Sequence, residues 1–140
     1  MIDKFEGDYA FLSNFYYSSF IYQGRQYPTV EHFFQAHKAK TEEDFIMILT
    51  EATPGGAKRA GRKVNLREDW EEVKDGLMLE ALRAKFSIKG LREKLLATDN
   101  EELIEGNYWH DTYWGVCNGI GQNKLGKMLM QVREEIRNDT

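Results

Sequence analysis

Apolar residues in this chain recur mostly at helical spacing. The recurrence predicts six helices, with short extended segments near the N-terminus and before the last helix. Val30, Phe33, Phe34 and His37 fall at i, i+3, i+4 and i+7 and share one stripe. Pro28 stops the preceding segment, and the Thr29 hydroxyl can accept from an otherwise unpaired N–H of the first turn. Beside the apolar stripe, Glu31, Gln35 and Lys38 form a polar one at i, i+4 and i+7. A second helix, Glu42 to Glu51, carries Phe45, Ile46, Ile48 and Leu49. Thr53-Pro54 reads as the cap and first position of a third, whose Ala57, Ala60 and Gly61 suit close packing. The longest runs from Glu68 to Phe86, with Trp70, Val73, Leu77, Met78 and Ala81 in register. Leu91 to Ala97 and Leu125 to Ile136 complete the set.

The extended segments read differently. Phe11 to Tyr17 is rich in aromatics and predicts a strand, interrupted by Ser13-Asn14. Phe20-Ile21-Tyr22 and Arg25-Gln26-Tyr27 predict a hairpin around Gln23-Gly24. Glu102 to Gly106 predicts a strand, and residues 107–122 an irregular loop crowded with Tyr108, Trp109, Tyr113 and Trp114. No linker, repeat or low-complexity segment interrupts the pattern. The 140 residues suit a single domain, 1–140, of α+β class and predominantly helical.

Composition narrows the function classes. A formal charge of −4 argues against a surface built for nonspecific nucleic-acid binding, while leaving room for a pocket that takes one nucleotide. One cysteine, Cys117, excludes an intramolecular disulfide framework and reads as a lone buried thiol. No apolar run approaches membrane-spanning length and no signal peptide opens the chain, so a cytoplasmic location is the expectation. Three His and one Cys make a metal site a poor reading, and no cofactor is called for. Gly121 to Lys127 has the glycine and lysine spacing of a phosphate-binding loop, but Met128 stands where a magnesium-binding hydroxyl belongs.

Two acids stand beside aromatics at structural boundaries, Glu31 and Asp111. A carboxylate near a sugar stabilises the cationic transition state of glycosidic cleavage. Glu31 equally suits a first-turn acid complementing the helix dipole, and Asp111 a turn organiser. Lys74 lies in the middle of an apolar stripe, either snorkelling or held as an amine nucleophile. Lys58, Arg59, Arg62 and Lys63 form the one dense positive cluster, either a solvated face or a phosphate site. Trp70 and Trp114 are candidates to stack on a flat base.

These fragments stand in the order seen in the NADAR family of YbiA-like proteins. They are Phe11 to Phe15, Tyr27 to Ala36, Ala57 to Arg62, Trp70 with Lys74 and Met78, Lys85-Phe86, Asp111 with Trp114-Gly115, and Asn123 to Lys127. The chain resembles that family along nearly its whole length. The resemblance implies a compact, mostly helical α+β fold and N-glycosidase activity. Its substrates would be a riboflavin-pathway ribosylamino-pyrimidine phosphate or an ADP-ribosylated guanine in DNA. A non-catalytic module that binds ADP-ribose or a nucleotide is the alternative. By position, the resemblance implies Glu31, Lys74 and Asp111 as catalytic residues. It implies Asn14, Trp70, Trp114 and Asn123 as pocket-lining residues, beside a phosphate role for Lys58 and Arg62.

Overall fold

Three threonines start three helices in the same way. Thr29, Thr41 and Thr53 each have extended backbone, and each hydroxyl accepts from the N–H three residues on, at 3.0, 3.2 and 2.9 Å. They cap α1 (Val30–His37), α2 (Glu42–Leu49) and α3 (Pro54–Gly61). The structure, a computed structural model, describes Met1–Asp139. Ahead of α1, β1 (Phe20–Tyr22) and β2 (Arg25–Tyr27) pair antiparallel with Phe20 opposite Tyr27. Gln23 and Gly24 both have positive φ, the left-handed geometry that closes a two-residue hairpin. α4 (Trp70–Lys85), α5 (Lys89–Ala97), the two-residue strands β3 (Gly106–Asn107) and β4 (Val116–Cys117), and α6 (Lys124–Asn138) follow.

The chain divides into two units. One is Asn14–Lys85. In it α1 is central, packing against α2, α3 and α4. Ala36, Ile48, Ala57 and Ala60 form a core of small and medium side chains, and their size lets the three helices approach closely. Tyr27, Phe33 and His37 form an aromatic cluster, with Phe33 and His37 ring centroids 4.0 Å apart. The His37 Nδ1 engages the Phe33 carbonyl at 2.7 Å, and burial holds the ring below the usual imidazole range.

The other unit is Met1–Ser13 with the chain from Phe86 onward. Here α5 packs on α6 and β3 pairs parallel with β4. Arg133 of α6 is buried and donates to the Thr98 hydroxyl and the Glu101 carbonyl, both at 2.9 Å.

One expected strand is absent from the described residues and another is cut short. Gly7–Leu12 is a 3-10 helix, and Ser13 to Tyr16 form bends and turns rather than a ladder; Phe11 and Leu12 are buried without strand partners. Within Glu102 to Gly106, Leu103 makes an isolated parallel bridge to Ile2, and Gly106 alone enters a strand, β3, opposite Val116. No helix among the described residues is long and apolar enough to cross a membrane.

Candidate active site

The polar stripe of α1 is buried. Glu31 is 7% exposed and Gln35 4%. The Glu31 backbone N–H donates to the Asn14 carbonyl at 3.0 Å, which ties the segment before the hairpin to the first turn of α1. The Glu31 carboxylate accepts from Gln35 Nε2 at 3.0 Å, through its Oε2. Next along the helix, His32 is fully buried, its ring bonded to the Thr29 hydroxyl at 2.8 Å and the Glu51 carbonyl at 2.9 Å. Because the carbonyl can only accept, Nε2 carries the proton and Nδ1 accepts from Thr29. One ring nitrogen serves the cap of α1 and the other the chain just past α2, which accounts for a histidine at this position.

Cations surround the same stripe. Burial pulls the Lys38 ammonium below its usual range; Glu31 draws it back up, and Arg62, Lys58 and Lys74 push it down. Lys38, at the end of α1, therefore has Glu31, Lys58 of α3, Arg62 just past α3 and Lys74 of α4 within electrostatic reach. Lys74 is largely covered, its side chain 18% exposed, and its Nζ pairs with the more exposed Glu71 at 2.8 Å. Lys58 sits 6.0 Å from the Phe15 ring, half-buried, and Arg62 is exposed just past the end of α3.

Asn14 is held by two contacts in this unit, its carbonyl on Glu31 and its Nδ2 on Met78 Sδ at 3.6 Å. Its Oδ1 is buried without a hydrogen-bond partner. Trp70 is buried against Phe34, ring centroids 4.9 Å apart, at the start of α4. It is thus a core ring as well as a candidate wall.

Asp111, Trp114 and Asn123 belong to the other unit. Asp111 Oδ1 accepts from the Tyr113 and Trp114 N–H groups at 3.1 and 2.9 Å. The Asn107 side chain brackets the same residue, donating to the Asp111 carbonyl at 2.9 Å and accepting from its N–H at 3.1 Å. Asp111 therefore shapes the loop that carries Trp114, whose ring lies 4.8 Å from that of Tyr113. Asn123 is buried at the start of α6 with a φ of +53°. Its Oδ1 accepts from Glu105 N–H at 2.9 Å and its Nδ2 donates to the Leu103 carbonyl at 3.0 Å, so both ends of the amide bind backbone. Cys117 is buried, its Sγ 3.8 Å from His110 Nδ1.

The structure thus brings Glu31, Lys74, Lys58 and Arg62 each within electrostatic reach of Lys38. It adds Gln35 and Lys38, which were visible in the sequence only as the i+4 and i+7 continuation of the Glu31 stripe. It also gives Gly61 a role: a Cβ there would run into the Gln35 amide oxygen.

Comparison with known proteins finds relatives along nearly the whole chain. A protein named N-glycosidase YbiA from Shigella boydii serotype 4 (strain Sb227) is 42% identical over 133 residues, covering 92% of this chain and 82% of that protein. A protein named for riboflavin biosynthesis in Vibrio vulnificus (strain YJ016) is 34% identical over 134 residues, 93% of this chain and 36% of that longer one. The NMR structure of the E. coli protein YbiA superposes with a TM-score of 0.87 at 38% identity, covering 99% of this chain and 88% of that one. The NADAR domain model matches residues 2–137. With the model spanning nearly every residue and the fold shared, this chain belongs to the NADAR domain family.

Proposed function

We propose that this chain is an N-glycosidase that hydrolyses the bond between a ribose C1′ and the nitrogen of a base, with Glu31 at the reacting centre. The observation that carries the reading is a buried carboxylate, 7% exposed, fixed through its backbone and side chain and within electrostatic reach of Lys38 at the end of the same helix. Breaking the C1′–N bond leaves positive charge on the sugar, and a carboxylate held in a water-poor site opposes that charge strongly. The same carboxylate takes the proton of the attacking water: oxygen bonds to C1′, the C1′–N electrons pass to the base nitrogen, and the base takes up a proton. The names of the glycosidase and riboflavin relatives support this reading.

Lys74 offers a covalent route. A ribosylamine opens its ring to an imine at C1′; a neutral lysine adds there and the base leaves as its amine. Water then hydrolyses the lysine Schiff base, releasing the sugar aldehyde and restoring the amine. Glu71, 2.8 Å from Nζ, is placed to take the proton that must leave Lys74 before it attacks. Borohydride trapping of an adduct, lost in Lys74→Ala, supports this route; normal turnover with no adduct leaves the Glu31-and-water route.

Lys58 and Arg62 suit a phosphorylated substrate, because guanidinium and ammonium groups make charge-assisted bonds to phosphate oxygens. A ribosylamino-pyrimidine phosphate is the first choice. ADP-ribosylated guanine in DNA is the second, since a chain of net charge −4 is poorly suited to gripping duplex backbone. Trp70, which packs against Phe34 of α1, is proposed to bound the base. Asp111 acts on its own loop, and Asp111→Asn with full activity would remove it from the chemistry. The test is a panel of ribosylamino-pyrimidine phosphate, NAD and ADP-ribosylated DNA, scored for released base. Release from at least one supports the proposal; tight binding with no release from any makes the chain a binding module instead.

A further inference from the structure

We propose that Gln35 is a positioning residue: clamped between Gly61 of α3 and the Glu31 carboxylate, it holds that carboxylate ionised and aimed. The inference rests on the reading of Glu31 as the reacting acid and goes beyond it to what keeps that acid ready. Gln35 lies one turn after Glu31 on α1 and is 4% exposed. Its Nε2 donates to Glu31 Oε2 at 3.0 Å. Its Oε1 is buried with no hydrogen-bond partner. An orphaned buried acceptor is destabilising, so folding alone gives no reason for an amide here. The amide cannot relieve the loss by turning over, because that would set its oxygen against the carboxylate. On its far side Gly61 leaves room for the amide oxygen that any Cβ would occupy. Glycine at the end of α3 thus acts as a backstop, and the amide's donor end is directed at Glu31.

A hydrogen bond donated to the ionised form favours that form, so losing it raises the pKa of the acid. Among the neighbouring charges, Lys38 at the end of α1 reaches Glu31 electrostatically and is itself reached by Lys58 of α3, Arg62 just past α3 and Lys74 of α4. α2 meets α1 through Ile48, Leu49 and Phe45 and offers the Glu51 carbonyl to His32; β2 brings Tyr27 against Phe33 and Arg25 against Glu42. All of these remain in a Gln35 variant, so a change isolates the amide.

The test is a carboxylate ¹³C NMR titration of Glu31, assigned through Glu31→Gln, in wild type, Gln35→Leu and Gly61→Ala. Both variants should raise the Glu31 titration midpoint by about one pH unit. Gly61→Ala does so by pushing the amide off the carboxylate, and it keeps the test open where Gln35→Leu fails to fold. Gln35→Glu, which sets a second carboxylate beside the first, should raise it further. In parallel the acid limb of the kcat profile should move with the titration while KM stays within about twofold and kcat falls about tenfold. An unmoved Glu31 midpoint in folded Gln35→Leu or Gly61→Ala overturns the inference. Full activity in Glu31→Gln would instead overturn the assignment of Glu31, and the titration reads the clamp whichever way that comes out.

Discussion

Replacing Lys85 with Met should make the protein less sensitive to pH, and the effect can be sized from the structure. Lys85 closes α4, is 1% exposed, and lies with its Nζ 5.6 Å from the centre of the Tyr16 ring. Burial brings its ammonium down from the ordinary 10.5 to about 7. Between those values the unfolded chain holds a proton that the folded one has released. Stability therefore rises with pH through this window, is fully present above about 10.5, and is lost as pH falls toward 7. The slope is about 1.4 kcal/mol per pH unit, or roughly 4 to 5 kcal/mol across the window. Met fills nearly the same volume and carries no charge, so Lys85→Met removes this slope. Urea unfolding of both proteins at pH 7, 8, 9 and 10 gives the difference directly, with every other titrating group cancelling. The variant should gain most on wild type at pH 7, and the gap should close by about 1 kcal/mol or more per pH unit. Parallel stability curves would refute the reasoning and mean that Lys85 keeps its proton inside the fold.

Two further perturbations test how local chemistry sets the framework. Thr29→Ala removes the cap of α1 and the hydroxyl that His32 Nδ1 accepts from, and should lower stability by about 1–2 kcal/mol in denaturant melts with an unchanged m value; a shift of a few tenths would show that the cap is redundant. Asn123→Ala strips partners from the Glu105 N–H and the Leu103 carbonyl and leaves a left-handed alanine, so a loss of about 2–4 kcal/mol is expected, with KM unchanged where the variant folds. A raised KM at normal stability would make Asn123 a substrate contact rather than a brace.

What could be read from the sequence was mostly local. The caps at Thr29, Thr41 and Thr53 work through residues three positions away, and the hairpin through its two turn residues, so no distant partner was needed to foresee them. Phe11 to Tyr17 misled because aromatic side chains favour strands only where a neighbouring strand exists to pair with them. Glu102 to Gly106 formed only in part, since its backbone found Ile2 opposite Leu103 and Val116 opposite Gly106 but no continuous ladder between them. In the site, Glu31 and Lys74 were visible as polar residues beside or within apolar stripes. That Gln35 is sealed in was not, because its burial depends on α3 packing with glycine at the contact. Lys85 continues the stripe of Met78, Ala81 and Leu82 at helical spacing, and that was the available signal. The general rarity of buried lysine hides such a position.

If Glu31 does chemistry on a ribosylated base, the most direct test is the rate of base release by wild type and by Glu31→Gln, a change that preserves size and an acceptor for Gln35. Each protein is given the substrate from the panel that wild type turns over fastest. A loss of about 10²- to 10⁴-fold in kcat is expected with the fold intact. Base released by Glu31→Gln at the wild-type rate would contradict a catalytic Glu31.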